Sequence, residues 1–538
     1  MNFIGSAVAA WDPAARQRRV VVWAATAVYL AVLVGPFLVL VAGLPGGWSP
    51  AAPLLPDRRL LGLLGNSLLV AAGSATLGVL GGWGTTLLTA GTRLAGLVRV
   101  ALTVLLFVPP YLHTLGWMSL SDVLRSRLGG GVPFPQGLAW TTIVLGTAFA
   151  PLAALVAWQA LAGLGRSAGE AVVLAAPPGR AWGRVLWPAW RGPLLDSWLV
   201  IFWLTLADYG VPMQFQLPVL ATELVSSFVG GASPAAVLAV SWPLTLLTAL
   251  AGGLALVRLA RRWTATPGGR SAVGTALFDP ARWPAAWTGG LALAASLLVL
   301  GAGLPCLGLG LGAAGPWTGP GVGAAWPALA VSLTVGLLAA GLATVVVVPL
   351  GDRLAAGLPA AAALPLALPL LFPALLLGFS HALTWTTPWL SWAHAHGAGL
   401  LAAHLGRILP FCLALAVLWR RGAGAPPGED AALVFAGGGW LRARLDLPRR
   451  VGILLLGLLL SLRDLDVSLL TVPPGRETLP LRLFNLMHYG AGSEVARLGL
   501  LLALAVGLAA ALLRRVADLL PERAADLARL PRPESTRG

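Results

Sequence analysis

The sequence predicts an all-α integral membrane protein made of two homologous halves, on three observations. Apolar residues make up 57% of the 538 and charged residues only 10%, where soluble domains carry about 25% charge. The apolar runs are continuous over about 20 residues, as spanning helices are, and do not alternate as the strands of a barrel do. A loop of unusual composition also occurs twice, about 260 positions apart, which marks a duplication. Together these predict about twelve transmembrane helices in two six-helix halves, related by a pseudo-two-fold axis along the membrane normal because an even number of spans preserves topology.

Taken in order, the apolar runs place spans at 20 to 43, 62 to 90, 94 to 119, 138 to 163, 193 to 215 and 234 to 257 in the first half, residues 1–257. The second half, 286–513, carries them at 286 to 312, 325 to 350, 360 to 385, 398 to 419, 451 to 473 and 495 to 513. Residues 258–285 are rich in Arg, Pro, Gly and Thr and form a cytoplasmic linker. The tail, 514–538, has too little apolar surface for a domain and reads as a frayed amphipathic helix followed by disorder. Arg16, Arg18 and Arg19 precede an apolar run longer than a signal-peptide core, so the first span is expected to be uncleaved.

The net charge of +16 comes wholly from arginine, since the chain has no lysine. On the predicted topology 27 arginines fall in loops and termini of one face and six, Arg58, Arg59, Arg125, Arg127, Arg476 and Arg482, on the other. The positive-inside rule places both termini and both repeated loops in the cytoplasm, and explains the charge without nucleic acid.

The two loops, 164–192 and 420–450, share an order of parts. In the first, Glu170 and Ala171 open a short apolar helix, Gly179 breaks it, Arg180 and Arg184 follow, and Pro188 begins the next span. In the second, Glu429 precedes Ala431 and Ala432, then come Gly438, Trp440 and Pro448. Glycines allow the turns, and the prolines fit the first turn of the following span. The repetition extends further: Ala207-Asp208-Tyr209 is echoed by Arg463-Asp464-Leu465-Asp466, Glu223 by Glu477, and Asn66-Ser67-Leu68 by Val331-Ser332-Leu333.

These residues resemble the inner-membrane permease subunits of binding-protein-dependent ABC importers, whose cytoplasmic loop carries Glu-Ala-Ala, a glycine six residues after the Glu, and Leu-Pro about a dozen residues beyond. The second copy keeps the family's Glu-to-Pro spacing and the first is one residue short; both depart at the glycine, where Ala176 and Phe435 stand. Two loops in one chain look like the fused permeases of the iron(III) and thiamine type, and Ala207 to Pro212 looks more like the iron(III) branch. The resemblance implies a chain of the bacterial inner membrane, with two copies of a cytoplasmic ATPase subunit on the two loops and an extracytoplasmic solute-binding protein opposite. It implies no cofactor in this chain, because ATP and Mg would be bound by the partner subunits. Thiamine, a phosphonate or a polyamine are the alternative cargoes.

Acids near the outer ends of spans, Asp208, Asp464 and Asp466, are candidates for the translocation pathway by the general rule for intramembrane ionisable groups; the competing reading is a helix-end acid paired with Arg463. Glu223 and Glu477 fall on the outer side, where a binding protein would dock, and otherwise read as solvated loop acids. His394 and His396 supply two ligands of a metal site that nothing adjacent completes, so no metal is expected. Without lysine there is no phosphate-binding loop of the Gly-x-x-x-x-Gly-Lys kind, and no nucleophile elbow, zinc-protease helix or Cys-x-x-Cys is present. The chain is therefore expected to be a transport subunit and not an enzyme. A secondary transporter driven by an ion gradient is the alternative of another class; it would need ionisable groups near the midplane on interrupted helices.

Overall fold

The computed structural model describes residues 13–43, 57–128, 134–162, 187–265, 285–314, 320–356, 371–422, 439–488 and 492–528. Among these every regular element is a helix. Residues 13–265, the first half by position in the chain, form α1 (Pro13–Leu33), α2 (Gly35–Ala42), α3 (Arg58–Thr89), α4 (Ala95–Phe107), α5 (Pro110–Leu128), α6 (Gly137–Ala162), α7 (Trp187–Leu206), α8 (Gly210–Gln214), α9 (Leu220–Val229) and α10 (Pro234–Ala265). The second comprises α11 (Ala285–Gly312), α12 (Pro320–Ala355), α13 (Ala374–Trp385), α14 (Ser391–Ala395), α15 (Ala398–Gly422), α16 (Gly439–Leu462), α17 (Asp466–Thr471), α18 (Leu479–His488) and α19 (Gly492–Ala528).

Seven unbroken helices among the described residues are long and apolar enough to cross a bilayer, and two bent pairs raise the number to nine. The chain is a multi-pass membrane protein. The bent pairs fall on the expected spans 20 to 43 and 94 to 119; α4 and α5 turn by 96° at Pro109-Pro110, where proline removes backbone N–H donors and disfavours helix at the residue before it. Three further expected spans are not continuous helices. The run 193 to 215 ends its helix at Leu206, and the run 451 to 473 at Leu462. In each, an aspartate accepts from a backbone N–H three residues on, Asp208 Oδ1 from Val211 N at 3.0 Å and Asp464 Oδ1 from Val467 N at 3.0 Å. A side-chain acceptor so placed stops one helix and starts the next. The run 360 to 385 is helical only from Ala374, after Pro373, and 357–370 lie outside the described residues.

Close backbone approach between helices sets the packing. The α3 helix lies along α6, with Gly82 seated where an added Cβ would stand 2.7 Å from Ala154 N. Thr86 Oγ1 donates across the same seam to Ala154 O at 3.1 Å, and Ser74 Oγ to Thr142 O at 3.1 Å. Lipid tails are as apolar as leucine, so small residues and interhelical hydrogen bonds carry association here. The α12 helix packs in the same way on α15 and α16, as α3 does on α6 and α7. The first long helix of each half crosses over: α1 lies on α12 and α15, while α11 lies on α3 and α5.

Two boundaries differ from expectation. The α10 helix continues past 258 to Ala265, and α19 past 513 to Ala528; residues 266–284 and 529–538 lie outside the described residues. Pro448 does not open a span but sits inside α16. Ion pairs from Asp446 to Arg449 and Arg450 bracket it and hold that turn.

Candidate functional site

Three helix breaks meet where the halves adjoin: Val108-Pro109 between α4 and α5, Ala207-Asp208-Tyr209 between α7 and α8, and Arg463-Asp464-Leu465 between α16 and α17. Gly210, which opens α8, is close enough that an added Cβ would lie 3.6 Å from both Leu465 Cδ2 and Tyr111 Cβ. Arg463 crosses between halves and donates from Nη1 to Leu106 O at 3.1 Å, a carbonyl left free by the break. Tyr209 and Phe484 pack against each other across the same boundary, tilted by 46° with ring centroids 5.7 Å apart.

Asp464 is buried and spent. Its Oδ1 caps α17, and its Oδ2 accepts from Arg407 Nε on α15 at 3.2 Å. Asp208 and Asp466 are half-buried, and with Arg407 and Arg463 they lie within electrostatic reach of one another. The sequence-predicted acids of the two halves are thus brought together. Arg407, which lies inside the expected span 398 to 419, joins them; an arginine inside an apolar run was the signal available.

His404 on α15 holds the second break closed on itself. Its Nδ1 lies 2.8 Å from Ser461 Oγ and its Nε2 2.9 Å from Ser468 Oγ. Ser468 Oγ in turn donates to Asp464 O at 3.2 Å, so the ring donates from Nε2 and accepts at Nδ1. This clamp has no sequence signature, because its members come from separate helices.

A second set of contacts recurs in both halves. Leu220 N, at the start of α9, donates to Ser67 Oγ at 3.0 Å, and Leu479 N, at the start of α18, donates to Ser332 Oγ at 2.8 Å. The two serines are those of the Ser-Leu echo in the sequence. Each removes an orphan donor at a buried helix start, so Ser67→Ala and Ser332→Ala are each expected to cost about 1 kcal/mol. Thermal unfolding of the purified chain measures both, and a loss at one serine only would mean that the equivalence is geometric and not energetic.

Glu223 on α9 pairs with Arg59 at 2.8 Å, and Glu477 accepts from Arg482 at 3.5 Å and from Asn485 at 3.1 Å. Both acids are engaged within the chain. Of the loop residues, Pro188 lies in the first turn of α7 and Pro448 inside α16, while Glu170, Ala171, Gly179, Arg180, Glu429, Ala431, Ala432 and Gly438 lie outside the described residues. Among the described residues no three His, Cys, Asp or Glu side chains are placed to hold a metal ion.

Comparison with protein families, with curated proteins and with solved structures finds no match to this chain.

Proposed function

We propose that the chain is the fused permease of an ATP-driven importer of the bacterial inner membrane, forming the translocation pathway for a small solute. Its twelve spanning segments form two six-segment halves about an axis along the membrane normal, with both termini and both Glu-bearing loops in the cytoplasm. A solute-binding protein delivers cargo from outside, and two copies of a cytoplasmic ATPase seat on the two loops. The observation that carries this reading is the doubling of the loop. It is supported by the recurring aspartate-capped breaks and serine contacts, the reciprocal crossing of α1 and α11, and the arginine excess on one face. A short helix with Glu at its positive end can pass rigid-body motion to the helices it joins. Iron(III) is the cargo favoured by the likeness of Ala207 to Pro212, ahead of thiamine, a phosphonate or a polyamine.

The test is co-purification of the tagged full chain from its native membrane in mild detergent, followed by mass spectrometry and an ATPase assay. The expected result is an ATP-binding subunit at two copies per chain. With Glu170→Ala and Glu429→Ala combined, the chain is expected to insert normally while ATPase coupling falls at least about tenfold, the loss of two charge-assisted contacts. Unchanged coupling in the double variant would sink the reading.

The charged cluster at interrupted helices favours a second reading, a transporter driven by an ion gradient. Recovery of the chain with no ATPase, together with solute uptake that collapses when a protonophore or sodium ionophore is added, would establish it.

A further inference from the structure

The cluster where the three breaks meet is not closed in its own hydrogen bonding. Arg407 and Asp464 satisfy one another, and Asp208 spends one oxygen on the start of α8, while its charge lies within electrostatic reach of Arg463. What remains is unspent. Arg463 offers five N–H donors, of which one meets Leu106 O, and no carboxylate of the described residues comes within ion-pair distance of it. Asp466 accepts no hydrogen bond from the described residues. Tyr111, only 4% exposed, keeps its hydroxyl without a partner, although it lies within electrostatic reach of Arg463, Asp464 and Asp466. A buried hydroxyl left unpaired costs about 1–3 kcal/mol, and a half-buried guanidinium and carboxylate that do not pair with each other forgo their strongest contacts.

The unspent groups have both signs: a cationic fork, an anionic acceptor, and a hydroxyl that can donate or accept. Arg463 and Asp466 flank the break at Asp464-Leu465, and each keeps a minor part of its surface exposed. We infer that this junction binds a small zwitterionic solute, with its anionic group on Arg463, its ammonium group on Asp466, and Tyr111 Oη as a third contact. This deepens the importer reading and rests on taking the three breaks as part of the pathway. It departs from a bare metal ion as cargo, for which no three His, Cys, Asp or Glu side chains of the described residues are placed, and from a simple anion or cation, which would leave Asp466 or Arg463 unspent.

The test uses the purified full chain in lipid nanodiscs and three probes with the same three-carbon chain: β-alanine, propionate and propylamine. A ligand that binds the native state raises the thermal midpoint according to its concentration over its Kd. β-Alanine is expected to bind at least about tenfold tighter than either singly charged probe. In Asp466→Asn, β-alanine and propionate become equivalent; in Arg463→Gln, β-alanine and propylamine do. Tyr111→Phe weakens β-alanine about fivefold, one neutral hydrogen bond. If either charge variant fails to fold, the wild-type series and Tyr111→Phe decide. Equal binding of propionate or propylamine to wild type, stabilisation by iron(III) citrate but not by β-alanine, or no shift with any probe would overturn the inference. No ATPase is needed, so a chain that recruits none can still pass, and failure here leaves the loop test standing.

Discussion

Asp464→Ala is expected to destabilise the chain by about 3 kcal/mol, and Asp208→Ala, its counterpart in the first half, by about 1 kcal/mol. Both variants lose a helix cap to a backbone N–H, worth about 1 kcal/mol. Only Asp464 also neutralises a partner, Arg407, whose side chain keeps 30% of its exposure. Breaking a fully buried pair costs about 3–5 kcal/mol, and the residual exposure of Arg407 reduces this to about 2 kcal/mol. Asp464→Asn, which keeps an oxygen for the cap but loses the charge, should fall between. Thermal unfolding of the detergent-solubilised chain, followed by tryptophan fluorescence, reads all three. Equal losses for the two alanine variants would show that the Arg407 pair contributes nothing, and the second break would then be held by the Asp464 cap and by His404 with its two serines.

Gly308→Leu is expected to cost about 3 kcal/mol or more, the upper end for overpacking, while Gly303→Leu on the same helix is expected to cost almost nothing. A Cβ on Gly308 would run into the carbonyl of Gly116, and one on Gly116 into the backbone of Pro305. The obstacle is main chain on both sides, so no rotamer change relieves it. Gly303 has nothing within 4 Å of an added Cβ. The contact also joins α11, the first long helix of the second half, to α5 of the first, so the comparison tests whether the halves exchange helices. Similar thermal midpoints for the two variants would mean that α11 does not pack on α5.

Legibility in the sequence followed the range of each interaction. Seven spans could be read because hydropathy summed over about 20 residues answers directly to the thickness of a bilayer. The runs 193 to 215 and 451 to 473 are apolar overall but are not continuous helices. The average does not register that Asp208 and Asp464 offer an acceptor to a backbone N–H three residues on. The echo of Asp208 in Asp464 and of Ser67 in Ser332 was visible as pattern, though what each residue bonds was not. Arg407 and His404 escaped because their partners lie 57 or more residues away in the chain.

By itself the sequence determined that the chain is a multi-pass membrane protein, since that depends on composition and on the length of its apolar runs. Only the tertiary structure decided where helices stop and what their broken ends share. Which donor meets which acceptor, and which charge is left over, depends on how separate helices approach one another. That approach is set by close packing at glycines such as Gly82, Gly116 and Gly308, and lipid, which cannot hydrogen-bond, leaves the freed backbone groups to find partners within the protein.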